Sequence, residues 1–353
     1  MPGDRSDALR EQVLEAAARN TALAITGGGT KQFYGREIAG AALSVADHAG
    51  IVGYEPKELV VTARAGTPLR ELERVLAEEG QMLPFEPPHF GENATLGGAV
   101  AAGLSGPARP YTGSVRDFVL GVRLLNGEGE ILRFGGEVMK NVAGYDVSRL
   151  VTGSLGAFGV ILEVSLKVLP RPAAQLTLTR ECAAEEAIRL MTGWAGQPLP
   201  LTAACHDGER LWVRLSGSRQ AVDAAREELG GDEAKSGEAF WRDLREHRHP
   251  FLAAGDTVLW RLAVRPATPP LGLGEEWIDW GGGQRWLRSE RPASEIRERA
   301  SSAGGHALQF RGGDRKGEIF HPLQATVERI HRQLKRAFDP QGLFNPGRMY
   351  PAL

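Results

Sequence analysis

The stretch TLGGAVAAGLSGPARPYTGSVRDFVLG, residues 95–121, contains six glycines, two prolines and two arginines. Few of its side chains are large enough to fill a core, so it offers a fold mainly backbone: positive-φ turns and unshielded N–H groups. Two further runs share this character, Thr26-Gly27-Gly28-Gly29-Thr30-Lys31 and Gly153-Ser154-Leu155-Gly156-Ala157-Phe158-Gly159. Glycine reaches 45 of 353 residues, well above the ~7% average, and concentrates in the first half. Loops that leave amides exposed, with no side chain to block close approach, make cradles for anions such as phosphates. The usual nucleotide fingerprints are absent. Gly27–Lys31 lacks the longer spacer of a P-loop, and no G-x-G-x-x-G follows a strand and opens a helix. A dinucleotide bound here would therefore not be held in the Rossmann manner.

With 353 residues and 42% apolar content, the chain is too long for one ordinary core and rich enough for two packed units. A net charge of −2, with Lys and Arg interspersed among Asp and Glu, provides no general field for nucleic acid. The N-terminal MPGDRSDALREQV lacks the apolar run of a signal peptide, and no later stretch approaches the ~20 apolar residues that span a bilayer. These features predict a cytoplasmic protein. Cys182 and Cys205 are too few for a disulfide framework, an iron–sulfur cluster or a four-ligand zinc site, and read as buried thiols. His247 and His249 would share a face only in a strand, and they follow a helical pattern, so no metal site is expected.

Along the chain, residues 7–19 read as a helix and Ala22–Ile25 as a strand leading into the first glycine run. Ile51–Tyr54 and Leu59–Ala63 read as strands. Thr67-Pro68 reads as an N-cap with proline at the first helical position, and Leu69, Leu72, Val75 and Leu76 give that helix an apolar face up to Gly80. Phe118–Leu125 and Glu130–Phe134 flank Asn126-Gly127, a hairpin signal. Residues 160–168 alternate as a half-buried antiparallel strand. After Pro170-Arg171-Pro172 the composition shifts, and strands and helices alternate with hairpins to residue 311, as in a ferredoxin-like plait. The tail predicts an amphipathic helix with Val327, Ile330, Leu334 and Phe338 on its apolar face, stopped at Asp339-Pro340.

Several of these segments together carry a resemblance. The first glycine run, Thr95-Leu96-Gly97-Gly98, Arg116-Asp117, Lys140-Asn141-Val142-Ala143-Gly144-Tyr145-Asp146, the run 153–159 and Asn345-Pro346-Gly347 resemble the vanillyl-alcohol oxidase flavoproteins. Within that family, LPFEPPHFGENATLGG, RFGGEVMKNVAGYDVSRL and FDPQGLFNPGR are similar to the FAD-binding subunits of bacterial glycolate oxidases. The resemblance implies an α+β architecture. Residues 1–170 would form a PCMH-type FAD-binding domain of two α+β subdomains, 171–311 a small ferredoxin-like cap, and 312–353 a C-terminal helix and segment packing back on the FAD domain. It also implies an extended FAD whose pyrophosphate lies on Thr26, Gly27, Gly28, Gly29 and Thr30 and on backbone from Thr95, Gly97 and Gly98 to Gly103. Tyr111, Thr112, Gly113 and Ser114 would follow the ribityl and ring region, Gly159, Val160 and Ile161 the adenosine end, and Asn345 would lie near the flavin ring. Many relatives carry a flavin-linked histidine beside the paired glycines where this chain has Gly29, which predicts noncovalent FAD.

Oxidation of a 2-hydroxy acid on such a flavin needs a cation for the substrate carboxylate and a base for the hydroxyl proton. Arg109, Arg116 and Arg348 are the candidate cations, with Arg116 equally placed to form a structural pair with Asp117. His89 and His321 are the candidate bases. Two readings remain open. In one, the chain oxidises glycolate, or a similar acid such as D-lactate, and passes electrons on. In the other it is an FAD-bearing accessory or relay subunit for a homologous catalytic flavoprotein subunit. Either needs partners, because two cysteines cannot house the clusters for one-electron transfer. The resemblance implies a second flavoprotein subunit and an iron–sulfur subunit, in a complex at the inner face of the membrane.

Overall fold

A computed structural model describes residues 3–136, 147–253 and 255–353. The KNVAGYD motif at 140–146 lies outside the described residues. The chain forms two units, Met1–Leu104 with Ser114–Pro170 and Arg315–Leu353, and Ser105–Gly113 with Arg171–Asp314.

Unit 1 begins with α1 (Ser6–Ala18), β1 (Leu23–Thr26), β2 (Ala41–Ser44), β3 (Ile51–Glu55), β4 (Val60–Arg64), α2 (Leu69–Glu78), β5 (Gln81–Met82) and α3 (Leu96–Ala102). After α4 (Arg109–Thr112), which belongs to the second unit, come α5 (Val115–Phe118), β6 (Val119–Leu125), β7 (Ile131–Gly135), α6 (Val147–Val151), β8 (Val160–Lys167) and β9 (Leu169–Pro170). β1 and β2 pair in parallel, and β5 pairs with β9. β3-β4-β8-β6-β7 form an antiparallel sheet. α2 buries Leu69, Leu72 and Leu76 completely against this sheet's core. Its N-cap is Pro68, not Thr67: the Thr67 hydroxyl is bonded instead to the backbone of Gly50.

Two further expectations change in this unit. The glycine-rich stretch does reach the core, because Leu96, Ala99 and Val100 of α3 join Val115, Phe118 and Val119 in it. Small residues let the helix approach closely: a Cβ on Gly97 would stand 2.6 Å from Ala65 Cβ, and one on Gly103 2.7 Å from Gly153 Cα. β8 is buried through Leu166, not half-buried. Its polar residues are paired on the sheet, Glu163 with Arg123 at 2.6 Å and Ser165 Oγ with Thr62 Oγ1 at 2.8 Å. The expected β6–β7 hairpin forms, with Asn126 Oδ1 accepting from the amides of Glu128 and Glu130 to organise its loop.

Unit 2 runs through β10 (Ala174–Glu181), α7 (Ala184–Ala195), β11 (Leu201–His206), β12 (Arg210–Gly217), α8 (Arg219–Leu229), β13 (Asp232–Glu233) and α9 (Gly237–Arg245). It continues with β14 (Leu259–Ala263), β15 (Glu275–Asp279), β16 (Gln284–Arg288), α10 (Ala293–Ser302) and β17 (His306–Arg311). Among the described residues these form one eight-stranded sheet ordered β13-β10-β12-β11-β15-β16-β14-β17. The first half is a complete β-α-β-β-α-β plait. The second half repeats its strand order with no helix between its first two strands, so a single plait is corrected to two in tandem, joined at His206 and Ile278. Each half has its own core, around Ile188, Val213 and Val222 in one and Leu262, Leu287 and Ile296 in the other. Residues 105–113 belong to this unit, a departure from the expected boundary at 170. The physical reason is Trp280, whose indole N–H donates to the Gly106 carbonyl at 3.1 Å while the Arg109 guanidinium stacks 4.4 Å from its ring.

α11 (Ala325–Phe338) returns in unit 1 with the first part of its expected apolar face in solvent, Val327 and Ile330 being 37% and 47% exposed, while Phe338 packs on the core beside Phe134. Lys335 also anchors it, buried beside Asp339 at 2.8 Å and donating to the carbonyls of Ala157 and Phe344. Among the described residues, no helix is long and apolar enough to cross a membrane.

Candidate active site

The chain leaves β1 at Thr26 and enters the first glycine run, which lines a cavity of about 410 Å³ in unit 1. Among the described residues nothing accepts from the backbone N–H groups of Gly27, Gly28, Gly29 and Thr30. The run is held open by packing from behind. A Cβ on Gly28 would overlap the Asn93 carbonyl, and one on Gly27 would collide with Thr95 Oγ1, while Gly29 adopts φ +74°. Thr95 caps α3 by accepting from the Gly98 amide at 3.3 Å. Lys31 adds positive charge, its Nζ 3.2 Å from the His89 carbonyl and over the Phe90 ring. Free amides and a cation on one wall, the carboxylate of Glu37 and the amide of Gln32, and apolar Ile25, Ile38 and Leu155 are the donor set for a phosphate-linked nucleotide with hydroxyls and flat rings.

The C-terminal segment completes this cavity. Asn345, at φ +41°, accepts from the Ile25 amide at 2.8 Å and donates to the Leu155 carbonyl at 2.6 Å. Its side chain therefore joins the two walls rather than being held free for a ring. Arg348 fans out over the loop after the glycine run, donating to the carbonyls of Tyr34 at 2.6 Å, Gln32 at 2.9 Å and Arg36 at 2.9 Å. The guanidinium expected to serve as a substrate cation is thus engaged with backbone carbonyls of this loop.

The remaining predicted residues are dispersed. Thr26, Gly27, Gly28, Gly29, Thr30, Thr95, Gly98 and Asn345 line the cavity. Gly97 and Gly103 serve helix packing, and Gly159 passes close to the Leu125 carbonyl as β8 begins, which places Val160 and Ile161 in the buried strand. Ser114 forms a capping box with Asp117, its hydroxyl 2.7 Å from the carboxylate, so Asp117 is engaged by the cap. Arg109, Tyr111, Thr112 and Gly113 lie in unit 2, where Thr112 Oγ1 donates to Ala108 and Gly113 ends α4 at φ 110°. His89 lies outside the cavity lining with its Nε2 3.1 Å from the Glu73 carboxylate. His321 is also outside it, its carbonyl accepting from the Tyr350 hydroxyl. His247 packs on Trp286 and Phe310, and His249 on Trp277. Gln32, Glu37 and Ile38 were missed by sequence reasoning, their one signal being proximity to the first glycine run, whereas Lys31, Ala101 and Ala102 lie within the stretches it singled out.

Residues 4–135 match the family model described as FAD binding domain. The whole chain is similar to glycolate oxidase subunit GlcE of Escherichia coli (strain K12), 53% identical over 351 residues and covering 99% of both chains. The chain belongs to the GlcE family. Its cofactor is accordingly FAD, and the amide-lined cavity fits that group. Members of the wider FAD-dependent oxidoreductase family match a smaller part. D-lactate dehydrogenase of Anaerostipes hadrus is 35% identical over 36% of this chain and 26% of its own length. Glycolate oxidase subunit GlcD of Bacillus subtilis (strain 168) is 31% identical over 36% of this chain and 27% of its own. Among solved structures the fold is similar to that of alkyldihydroxyacetonephosphate synthase, with TM-score 0.68, 16% identity and coverage of 98% of this chain and 75% of that one. The likeness concerns the fold of this GlcE-family chain and leaves about a quarter of the other chain unmatched.

Proposed function

We propose that the chain is the FAD-carrying subunit of a glycolate oxidase complex that converts glycolate to glyoxylate. The observation that carries this reading is the row of free amides from Gly27 to Thr30 in a chain that matches a GlcE along its whole length. Bound FAD supplies a two-electron acceptor for oxidation of the 2-hydroxy acid to the 2-oxo acid. The residues of the cavity bind and orient: the glycine-run amides and Lys31 take the pyrophosphate, Glu37 accepts hydroxyl hydrogen bonds, and Asn345 and Arg348 fix the walls. The FAD is noncovalent, since the described residues lining the cavity include no histidine or cysteine to form a link. Electrons leave to an iron–sulfur subunit, because the chain's own two cysteines are too few to hold a cluster, and the assembly meets the membrane through its partners, since no described helix is long and apolar enough to cross it.

One observation favours a second reading, in which oxidation takes place on a flavoprotein subunit of the GlcD kind and this chain supports or relays. Arg348 is engaged by backbone carbonyls, and His89 and His321 lie outside the cavity lining. Anaerobic addition of glycolate and D-lactate to the FAD-loaded chain decides between them. Bleaching of the flavin absorbance by the isolated chain supports a complete substrate site here. A bound flavin that bleaches only after the partner flavoprotein is added supports the accessory reading, and a chain that binds no FAD refutes both.

A further inference from the structure

A second cavity, of about 530 Å³, lies within unit 2, and nothing in the proposed oxidation uses it. Its walls are aromatic and aliphatic, with Tyr111, Trp194, Trp280, Leu199 and Leu201 facing one space. The volume is within the range of small-molecule sites and far exceeds what a two-carbon acid fills. Trp280 is a built wall, not a surface side chain. It sits at φ +55°, its amide held by Asp279 Oδ1 at 2.7 Å and its indole N–H held by Gly106. A bulky residue kept in the left-handed region is a strained arrangement of the kind found at ligand clamps. Asp279 is in turn held by Gln284, so the turn that carries the indole is braced from both sides.

The charged side chains on the wall of this apolar space are cationic, while the Asp279 carboxylate behind it is engaged by the Trp280 amide and Gln284. The guanidiniums of Arg109 and Arg261 stack on the Trp280 ring at 4.4 and 5.3 Å, and Arg265 lines the cavity itself. Arg265 makes no side-chain hydrogen bond or ion pair with another described residue. The Tyr111 hydroxyl likewise has no partner among the described residues, and burial, with Asp279 nearby, holds the phenol protonated as a donor. A low-polarity wall with a cation and a phenol donor at its edge matches a ligand that is apolar over most of its surface and anionic at one end. We propose that this cavity is a second binding site, for a flat apolar molecule bearing a single carboxylate or sulfonate group.

Isothermal titration of the full-length, FAD-loaded chain tests the site with two probes of the same ring system. Anilinonaphthalene sulfonate carries the anionic group, and phenylnaphthylamine lacks it. The wild-type chain is expected to bind the sulfonate one-to-one. Ala195→Trp, which fills the cavity from the exposed end of α7, is expected to weaken both probes about tenfold or more. Arg265→Ala is expected to weaken only the sulfonate, by about fivefold. Ala267→Trp fills the same cavity from a loop and replaces Ala195→Trp if that variant fails to fold. Absence of sulfonate binding to the wild type, binding that the tryptophan variants leave unchanged, or equal weakening of both probes by Arg265→Ala would each overturn the proposal.

Discussion

Arg348 and Gly28 show how single residues act through backbone at the FAD cavity. The Arg348 guanidinium reaches several carbonyls at once, a fan that the single ammonium of lysine cannot reproduce. Arg348→Lys is therefore expected to weaken FAD binding by about tenfold. Equilibrium dialysis measures this directly. A normal FAD affinity with a raised KM for glycolate would instead restore Arg348 as a substrate cation. At Gly28 the obstacle to a side chain is behind the loop, at the Asn93 carbonyl, and not in the space where an anion would lie. Gly28→Ala must push the loop forward, at a cost of about 1–3 kcal/mol typical of overpacking. Purified variant chain should carry little flavin, and full flavin content would show that the amide row is not the phosphate site. Both residues were visible in the sequence as motif members. Neither role was, because each depends on a neighbour remote in sequence.

At the scale of elements, α11 is held by its one buried cation together with Phe338 at the end of its apolar stripe, while Val327 and Ile330 of that stripe stay exposed. Lys335 bridges Asp339, the end of its own helix, to the carbonyls of Ala157 and Phe344 on two other segments. Removing one partner of a buried pair leaves the other uncompensated, so Lys335→Met should lower the stability of unit 1 by about 3 kcal/mol in urea unfolding. By contrast Ile330→Glu, on the exposed face, should cost less than about 0.5 kcal/mol. The 3.6-residue period identified the helix correctly, yet periodicity reports only that one face is apolar, not whether anything covers it. In the same way the alternation in β8 gave a correct strand. Its polar side is buried because Arg123 and Thr62 come from neighbouring strands to satisfy Glu163 and Ser165.

For the molecule as a whole, pH dependence follows from two of the buried histidines, His48 in unit 1 and His247 in unit 2. Burial holds the imidazole of His48 below the ordinary 6.5, against the opposing charge of Asp4. Burial also holds His247 well below 6.5, assisted by the guanidiniums of Arg311, Arg261 and Arg288. In both cases the unfolded chain binds the proton first, so the contribution to stability is present above pH 6.5 and is lost as pH falls toward the folded-state value. The urea midpoint should drop as the pH is lowered from about 7.5 to about 5.5. His247→Asn, which tolerates the φ of +52° at that position, should reduce overall stability and flatten this slope. A slope unchanged in that variant would remove His247 from the account.

The sequence by itself determined the kinds of element, most of their extents, and where the backbone runs without side chains. Those properties are local, written in the spacing of apolar residues and in where side chains are missing. Tertiary structure alone decided which candidate side chains remain available for chemistry. Arg348 is taken up by residues 32–36, Asn345 by Ile25 and Leu155, and Arg109 by Trp280, all through contacts between segments distant along the chain. It also decided that the second unit is two plaits in one sheet, since the pairing of β11 with β15 depends on which edges meet. A charged or polar residue's role is set by its partners, and the spacing of residues in one segment does not specify a partner from another.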